Sequence, residues 1–208
     1  MVMKYVQLGD FTTQAGAIIP QVRIAYEMWG QQRGNNVILV EHALTGDADA
    51  CSWWPGLIGP GLVIDTDRYC VICTNVLGGC SGSTGPGTPA PDRRAWGSRF
   101  PALCIRDMVA AERQLLALLG IDELLGVIGG SMGGARALEW AAMYPEMAGS
   151  ACVIATSARS SAWQIGIQTA QICAVETDPD WQNGDYYDTG RCPDRGLGAA
   201  RRIAHLTY

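Results

Sequence analysis

The stretch Val127-Ile128-Gly129-Gly130-Ser131-Met132-Gly133-Gly134 restricts what this chain can fold into more than any other. An apolar run with strand character (Leu124, Leu125, Val127, Ile128) leads into a G-x-S-x-G pattern. A helix-like run from Ala135 to Tyr144, stopped by Pro145, leads out of it. Strand, tight turn and helix with serine at the turn is the arrangement of a nucleophile elbow. The turn imposes strained backbone angles on the serine, and a side chain at Gly129 or Gly133 would collide with the adjoining strand or helix. The serine hydroxyl is then exposed beside a helix N-terminus, where developing negative charge is stabilised. The bland alternative is a plain strand-to-helix turn, because a chain with 26 glycines meets a three-residue pattern easily. Nucleotide loops do not fit. No start in this stretch gives the glycine offsets of a dinucleotide fingerprint, and the only lysine, Lys4, is far from any phosphate-loop position.

With 208 residues, 48% hydrophobic and 17% charged, the chain can bury a core and suits one or at most two domains. A net charge of −5, with no basic cluster longer than Arg93-Arg94 or Arg201-Arg202, argues against nucleic acid as a partner. Met1 to Asp10 lacks the basic-then-apolar pattern of a secretory leader, and no run approaches the ~18 apolar residues of a membrane span. The expected setting is cytoplasmic, without membrane contact. The eight cysteines read as reduced thiols, since a chain of this size and apolar content needs no staples. Cys70-Val-Ile-Cys73 has C-x-x-C spacing but lies in a strand-like run, where residues three apart point to opposite faces. That removes redox and zinc roles, no second pair completes a ligand set, and no metal site is expected.

Along the chain, Tyr5 to Leu8 and the period-two run Val22, Ile24, Tyr26, Met28 read as an antiparallel strand pair. Val37 to Val40 reads as a central strand, and Glu41-His42-Ala43-Leu44-Thr45-Gly46 leaves its carboxyl end, where an open α/β sheet places its chemistry. Trp53-Trp54-Pro55 reads as core filling, in a region without clear period. Tyr69 to Val76 is a further strand, followed by a glycine- and proline-rich loop from Leu77 to Pro91 of the kind that is usually functional. Helical spacing at 105, 108, 109, 115, 116 and 119, ending at Gly120, marks the clearest helix. Ala151 to Ala155 reads as one more strand. From Ser157 the sequence becomes helix-compatible and strand-poor, so a boundary is expected there, dividing residues 1–156 from 157–208.

His42-Ala-Leu-Thr-Gly46, Ile64-Asp-Thr-Asp-Arg-Tyr69, Thr74-Asn-Val-Leu-Gly-Gly-Cys80, Gly82-Ser-Thr-Gly-Pro86, Ile105-Arg-Asp-Met-Val109 and the elbow together resemble the homoserine O-acyltransferase family. The similarity continues through Leu138-Glu-Trp140, Asp178-Pro-Asp-Trp181, Gly196-Leu-Gly198 and Arg201, and so covers nearly the whole chain. The resemblance implies an α/β-hydrolase fold: a mostly parallel sheet in the first 156 residues, then the beginning of a helical cap. It also implies a ping-pong acyl transfer in methionine biosynthesis. Ser131 would take the acyl group from an acyl-CoA, most simply acetyl-CoA, and the hydroxyl of L-homoserine would receive it. No bound cofactor is implied; the acyl-CoA is a co-substrate. By the family pattern the oxyanion is met by the backbone N–H groups of Met132 and Leu44. Arg201 matches the arginine that binds the acceptor carboxylate, with Arg202, Arg159 and Arg136 as weaker candidates. A homodimer through the cap helices is implied as well.

The sequence departs from the family in one respect. A serine nucleophile needs a base and an orienting acid, which in this fold follow it in chain order. Of the two histidines, His42 precedes Ser131 and reads as a structural, hydrogen-bonded residue of the oxyanion loop, whereas His205 falls in a stretch matching the cap. One strand follows the elbow where several are expected. The chain therefore reads as the N-terminal part of a longer protein, with the triad aspartate and histidine beyond residue 208, and the 208 residues alone are expected to be inactive. The alternatives are a serine or homoserine O-succinyltransferase, a serine hydrolase that uses water as acceptor, and a non-catalytic truncated paralogue.

Overall fold

A computed structural model describes residues 3–207. The chain divides into two compact units, one of residues 1–85 with 101–156 and a second of residues 86–100 with 157–208.

The first unit is built on a six-stranded sheet. Its strands in chain order are β1 (Lys4–Thr12), β2 (Ile18–Trp29), β3 (Val37–Glu41), β6 (Cys70–Thr74), β7 (Gly126–Gly130) and β8 (Ala151–Ile154), arranged in space as β1-β2-β6-β3-β7-β8. Between β3 and β6 lie the one-turn helix α1 (Ala50–Trp53) and a two-stranded ladder of β4 (Ile58–Gly59) and β5 (Ile64–Asp65). β1, β2 and β6 pair antiparallel, while β6, β3, β7 and β8 are mutually parallel. β3 is central, as its unbroken apolar run predicts. All five residues of β6 are buried, and Cys70 and Cys73 lie on opposite faces of it. All eight cysteines are free thiols.

Alternation along the strands makes two cores. Val40, Val71 and Cys73 point to one face, packed with Trp29, Ala50, Ile58 and Ile64, and with Trp53 and Trp54 against them. Leu39 and Ile72 point to the other and are fully buried. Each such side chain contributes roughly 1.5–3 kcal/mol by leaving water. The second face also presents two polar groups, Glu41 and Thr74, both buried. Helices α2 (Ile105–Leu118) and α3 (Met132–Met143) pack side by side, bridged at their exposed side by Arg106 Nε to Glu139 at 2.7 Å. Asp107 starts α2 by accepting the Cys104 N–H at 2.9 Å, and the same carboxylate ties it to the first hairpin by accepting from Gln14 N at 2.6 Å. β8 is the sheet edge after β7, and its four residues are exposed.

The second unit contains α4 (Ala162–Glu176), α5 (Asp194–His205) and two short 3₁₀ turns. Ser161 caps α4 by a reciprocal capping box with Gln164. Asp178 links the helices by accepting the Gly196 N–H at 2.7 Å. α5 passes so close that a Cβ on Gly196 would sit 2.5 Å from Ala174 O. Residues 86–91, read from sequence as the end of a long loop, belong to this unit together with residues 92–100. Asp185 accepts both the backbone N–H and the hydroxyl of Ser98 at 3.1 Å. No helix among the described residues is long and apolar enough to cross a membrane.

Candidate active site

Ser131 stands between β7 and α3 with φ 57° and ψ −119°, a backbone conformation that non-glycine residues adopt only under constraint. Its N–H is held by Ile154 O at 3.0 Å, which fixes the turn to β8, and its own carbonyl accepts from Ala135 N at 3.0 Å, starting α3. The glycines on either side are required sterically. A Cβ on Gly129 would lie 2.7 Å from Glu41 Cβ, and one on Gly133 would lie 2.7 Å from the Glu41 carbonyl carbon and 2.9 Å from His42 O. The serine is exposed, and Met132 contributes one of the first-turn N–H groups that have no partner within a helix.

The loop leaving β3 begins at the level of the elbow, because Glu41 pairs with Gly129 in the parallel ladder and Gly133 abuts Glu41 and His42. This loop carries Leu44, whose side chain is 75% exposed. Sheet register thus brings together the segments that hold Ser131, Met132 and Leu44. Arg201 lies on α5 in the second unit, exposed, as do Arg202 on the same helix and Arg159 in the segment before α4.

Beneath the elbow lies a charged cluster that sequence reasoning missed. Arg136 of α3 has no exposed surface; its Nη1 is 2.6 Å from Glu112 Oε1 of α2 and 2.9 Å from Glu41 Oε2, and its Nη2 donates to His42 O at 3.0 Å. Glu112 also accepts from Thr74 Oγ1 at 2.9 Å and from Trp140 Nε1 at 3.0 Å. Arg136 is therefore corrected from a candidate for the acceptor carboxylate to a buried tie whose two terminal nitrogens are both engaged within the protein. The 2.9 Å approach to Glu41 is poorly aligned for a hydrogen bond: neither Glu41 carboxylate oxygen, nor Arg136 Nε, has a hydrogen-bond partner among the described residues. Burial, offset in part by Arg136 and reinforced by Glu112, holds the Glu41 carboxyl well above the usual carboxylate range. A signal was present in the sequence: Glu112 falls at helical spacing within the apolar stripe of α2, between Val109 and Leu116.

His42 is 2% exposed. Its Nδ1 is 2.7 Å from Ala43 O, and its Nε2 faces the backbone N–H of Val76 at 3.2 Å. Burial, with Arg136 nearby, lowers its pKa below the ordinary histidine value. Both ring nitrogens are occupied, which fits a structural histidine and leaves none for a proton from Ser131. His205 lies on α5 in the second unit. Among the described residues no cluster of three His, Cys, Asp or Glu side chains is placed to hold a metal ion.

A parallel-centred sheet with a strained serine between strand and helix is the architecture of an α/β-hydrolase, and this chain belongs to that family: the model of the alpha/beta hydrolase fold matches residues 36–208. Within the family, the chain is 64% identical over 202 residues to a homoserine O-acetyltransferase of Corynebacterium diphtheriae, covering 97% of this chain and 55% of that protein. It is 54% identical over 215 residues to the homoserine O-acetyltransferase of Nocardia farcinica, covering 98% of this chain and 56% of that one. The chain thus spans about half the length of the curated relatives it matches. Among solved structures, the homoserine O-acetyltransferase from Bacillus anthracis superposes with a TM-score of 0.91 at 30% identity, over 99% of this chain and 60% of that one. Esterase E22 superposes with a TM-score of 0.90 at 31% identity, over 99% and 61%.

Proposed function

We propose that the protein to which these residues belong transfers an acetyl group from acetyl-CoA to the hydroxyl of L-homoserine through an acyl-Ser131 intermediate, a step of methionine biosynthesis. The observation that carries this reading is Ser131, strained at the start of α3 and level with the loop that bears Leu44. Its Oγ would add to the thioester carbonyl while a base takes its proton. The oxyanion would be met by the N–H groups of Met132 and Leu44, and coenzyme A would leave as the thiol. Homoserine would then add to the acyl-serine, and the serine would regain its proton. By the family resemblance, Arg201 would meet the amino-acid carboxylate with its forked guanidinium. The base and its orienting acid are assigned to an aspartate and a histidine outside these 208 residues. The same reading treats acetyl-CoA as co-substrate, places the protein in the cytoplasm and makes it a homodimer.

The test is thiol release from acetyl-CoA with and without homoserine, by a chain extended to the length of the relatives. Beyond a first equivalent released on acylation of Ser131, sustained release should require homoserine, be much slower with succinyl-CoA or with serine as acceptor, and vanish in Ser131→Ala. Faster release from succinyl-CoA would reassign the donor. A second reading is favoured by the likeness to esterase E22 and to the acetyl esterase MekB, the latter at a TM-score of 0.88 and 28% identity. In that reading water is the acceptor, and Ser131-dependent hydrolysis of acetyl esters indifferent to homoserine would establish it.

A further inference from the structure

His42 is buried beside the elbow with both ring nitrogens engaged, and its partners define which nitrogen carries the proton. The Val76 N–H can only donate, so Nε2, 3.2 Å away, presents its lone pair. The proton is then on Nδ1, which donates to Ala43 O at 2.7 Å. The Val76 donor is itself held in place. Asn75 accepts the Ala48 N–H through its side chain at 2.8 Å, and its carbonyl accepts from Ser83 Oγ, which in turn accepts from Ala25 N at 2.9 Å. The ring is thus oriented by the fixed segment that leaves β6.

What the ring holds is a peptide plane. Ala43 O accepts from His42 Nδ1 and also from Gly46 N at 2.9 Å. In a trans peptide the carbonyl and the following N–H point in opposite directions, so fixing Ala43 O fixes the direction of the Leu44 N–H. That N–H has no hydrogen-bond partner among the described residues. The plane before it is pinned too, since Arg136 Nη2 donates to His42 O at 3.0 Å, and Arg136 sits on the helix that Ser131 begins. Two successive peptide planes of the β3 loop are therefore tied, one to α3 by Arg136 and one to the imidazole, and between them they fix the Leu44 amide and leave it unpaired among the described residues.

We propose that His42, in its Nδ1–H tautomer, is a positioning residue that aims the Leu44 N–H as an oxyanion donor. The inference rests on the reading of Ser131 as the acylated nucleophile. A purely architectural role, tying the β3 loop to Val76, is the competing account, and the two differ in which nitrogen matters. Asparagine places an amide donor near Nδ1 and leaves the Val76 N–H unmatched. Glutamine places an acceptor near Nε2 and abandons Ala43 O.

The tautomer is read directly on the 208-residue chain by ¹⁵N NMR of the imidazole, with His205→Gln leaving a single histidine. Nδ1 protonated and Nε2 bare is the expected result, and the reverse overturns the proposal. In a chain extended to the relatives' length, with homoserine present as acceptor, Ser131-dependent release of p-nitrophenol from p-nitrophenyl acetate and of thiol from acetyl-CoA is compared for His42→Asn and His42→Gln, with thermal melts to verify folding. Gln should lose on the order of 10²–10³ in kcat with the KM for the acyl donor little changed, the signature of a lost oxyanion donor. Asn should stay within about ten-fold of the parent. A folded Asn variant that loses about 10²-fold or more in kcat overturns the proposal even if the Gln variant does not fold. If the parent shows no Ser131-dependent release at all, the acyl-serine reading fails and the proposal with it. Ser131-dependent release with equal losses in the two variants removes the proposal alone.

Discussion

Glu41 and Glu112 compete for one buried arginine, and the geometry favours Glu112. Glu112 lies 2.6 Å from Arg136 Nη1 and has two further donors in Thr74 and Trp140, whereas the Glu41 oxygens have no hydrogen-bond partner among the described residues. A buried carboxylate without donors costs more as an anion than its neighbour returns, so Glu41 holds its proton well above the ordinary value of 4.5. The direction of the pH effect follows. Above pH 4.5 the unfolded chain releases this proton and the folded chain keeps it, so Glu41 lowers stability by up to about 1.4 kcal/mol per pH unit until its folded pKa is reached. Glu41→Gln should therefore match the parent near pH 4.5 and exceed it at pH 8, by on the order of 1 kcal/mol, in urea melts of the two proteins. A variant weaker at pH 8 than at pH 4.5 would identify Glu41 as the charged partner of Arg136. From sequence, Arg136 reads as one of several arginines able to meet a carboxylate. That reading is chemically right, but the carboxylates it meets belong to the protein. Nothing in one chain order announces that α2, α3 and the end of β3 converge, and the one local hint is a glutamate within an apolar stripe.

Among the elements, the elbow is the most legible because its geometry demands particular residue types locally. Small neighbours, a strand before and a helix after can all be read within a dozen or so residues, and the strained φ at Ser131 follows from them. The buried strands β3 and β6 and the helix α2 are legible for a similar reason, since each has its own hydrophobic period. The ladder of β4 and β5 was not legible: two strands of two residues each have no period, and they form because the core against Trp29 and Val71 gathers them. The assignment of residues 86–100 to the second unit rests on Ser98 meeting Asp185, a contact across 87 positions in sequence. Gly133→Ala tests the elbow as an element. Helix propensity alone would favour alanine by about 1 kcal/mol. The new Cβ would be driven against Glu41 and His42 backbone, at 2.7 and 2.9 Å, where overpacking costs about 1–3 kcal/mol, so the steric term wins. The variant should melt earlier and lose more in kcat than in KM, because the atoms displaced are those that lead to the Leu44 amide. An unchanged melting temperature with unchanged turnover would mean that the helix start can shift at no cost.

At the scale of the whole molecule, the proposed site in the first unit joins Ser131 to the segments that bear Met132 and Leu44, and among the described residues of that unit the one histidine, His42, has both ring nitrogens engaged. The sheet ends in β8, whose four residues are exposed, and relatives of nearly twice the length carry the named activity. His42 is excluded as the base by its own hydrogen bonds, since taking a second proton would set Nε2–H against the Val76 N–H. Lowering the pH makes that clash more frequent. The His42 pKa lies below the ordinary 6.5, so the stability that comes from keeping it neutral is complete above pH 6.5 and is lost as pH falls through its folded value. The 208-residue chain alone should accordingly release no thiol from acetyl-CoA above background, while a chain extended to the relatives' length should turn over with a dependence on Ser131. The expected gap is large, because removing the base of a serine triad costs on the order of 10⁶ in turnover. Far-UV circular dichroism on the shorter chain separates a missing base from a missing fold. A folded 208-residue chain that turns over would make His205 the suspect, and His205→Ala would then abolish the reaction; turnover surviving that change would mean that Ser131 is deprotonated without any histidine.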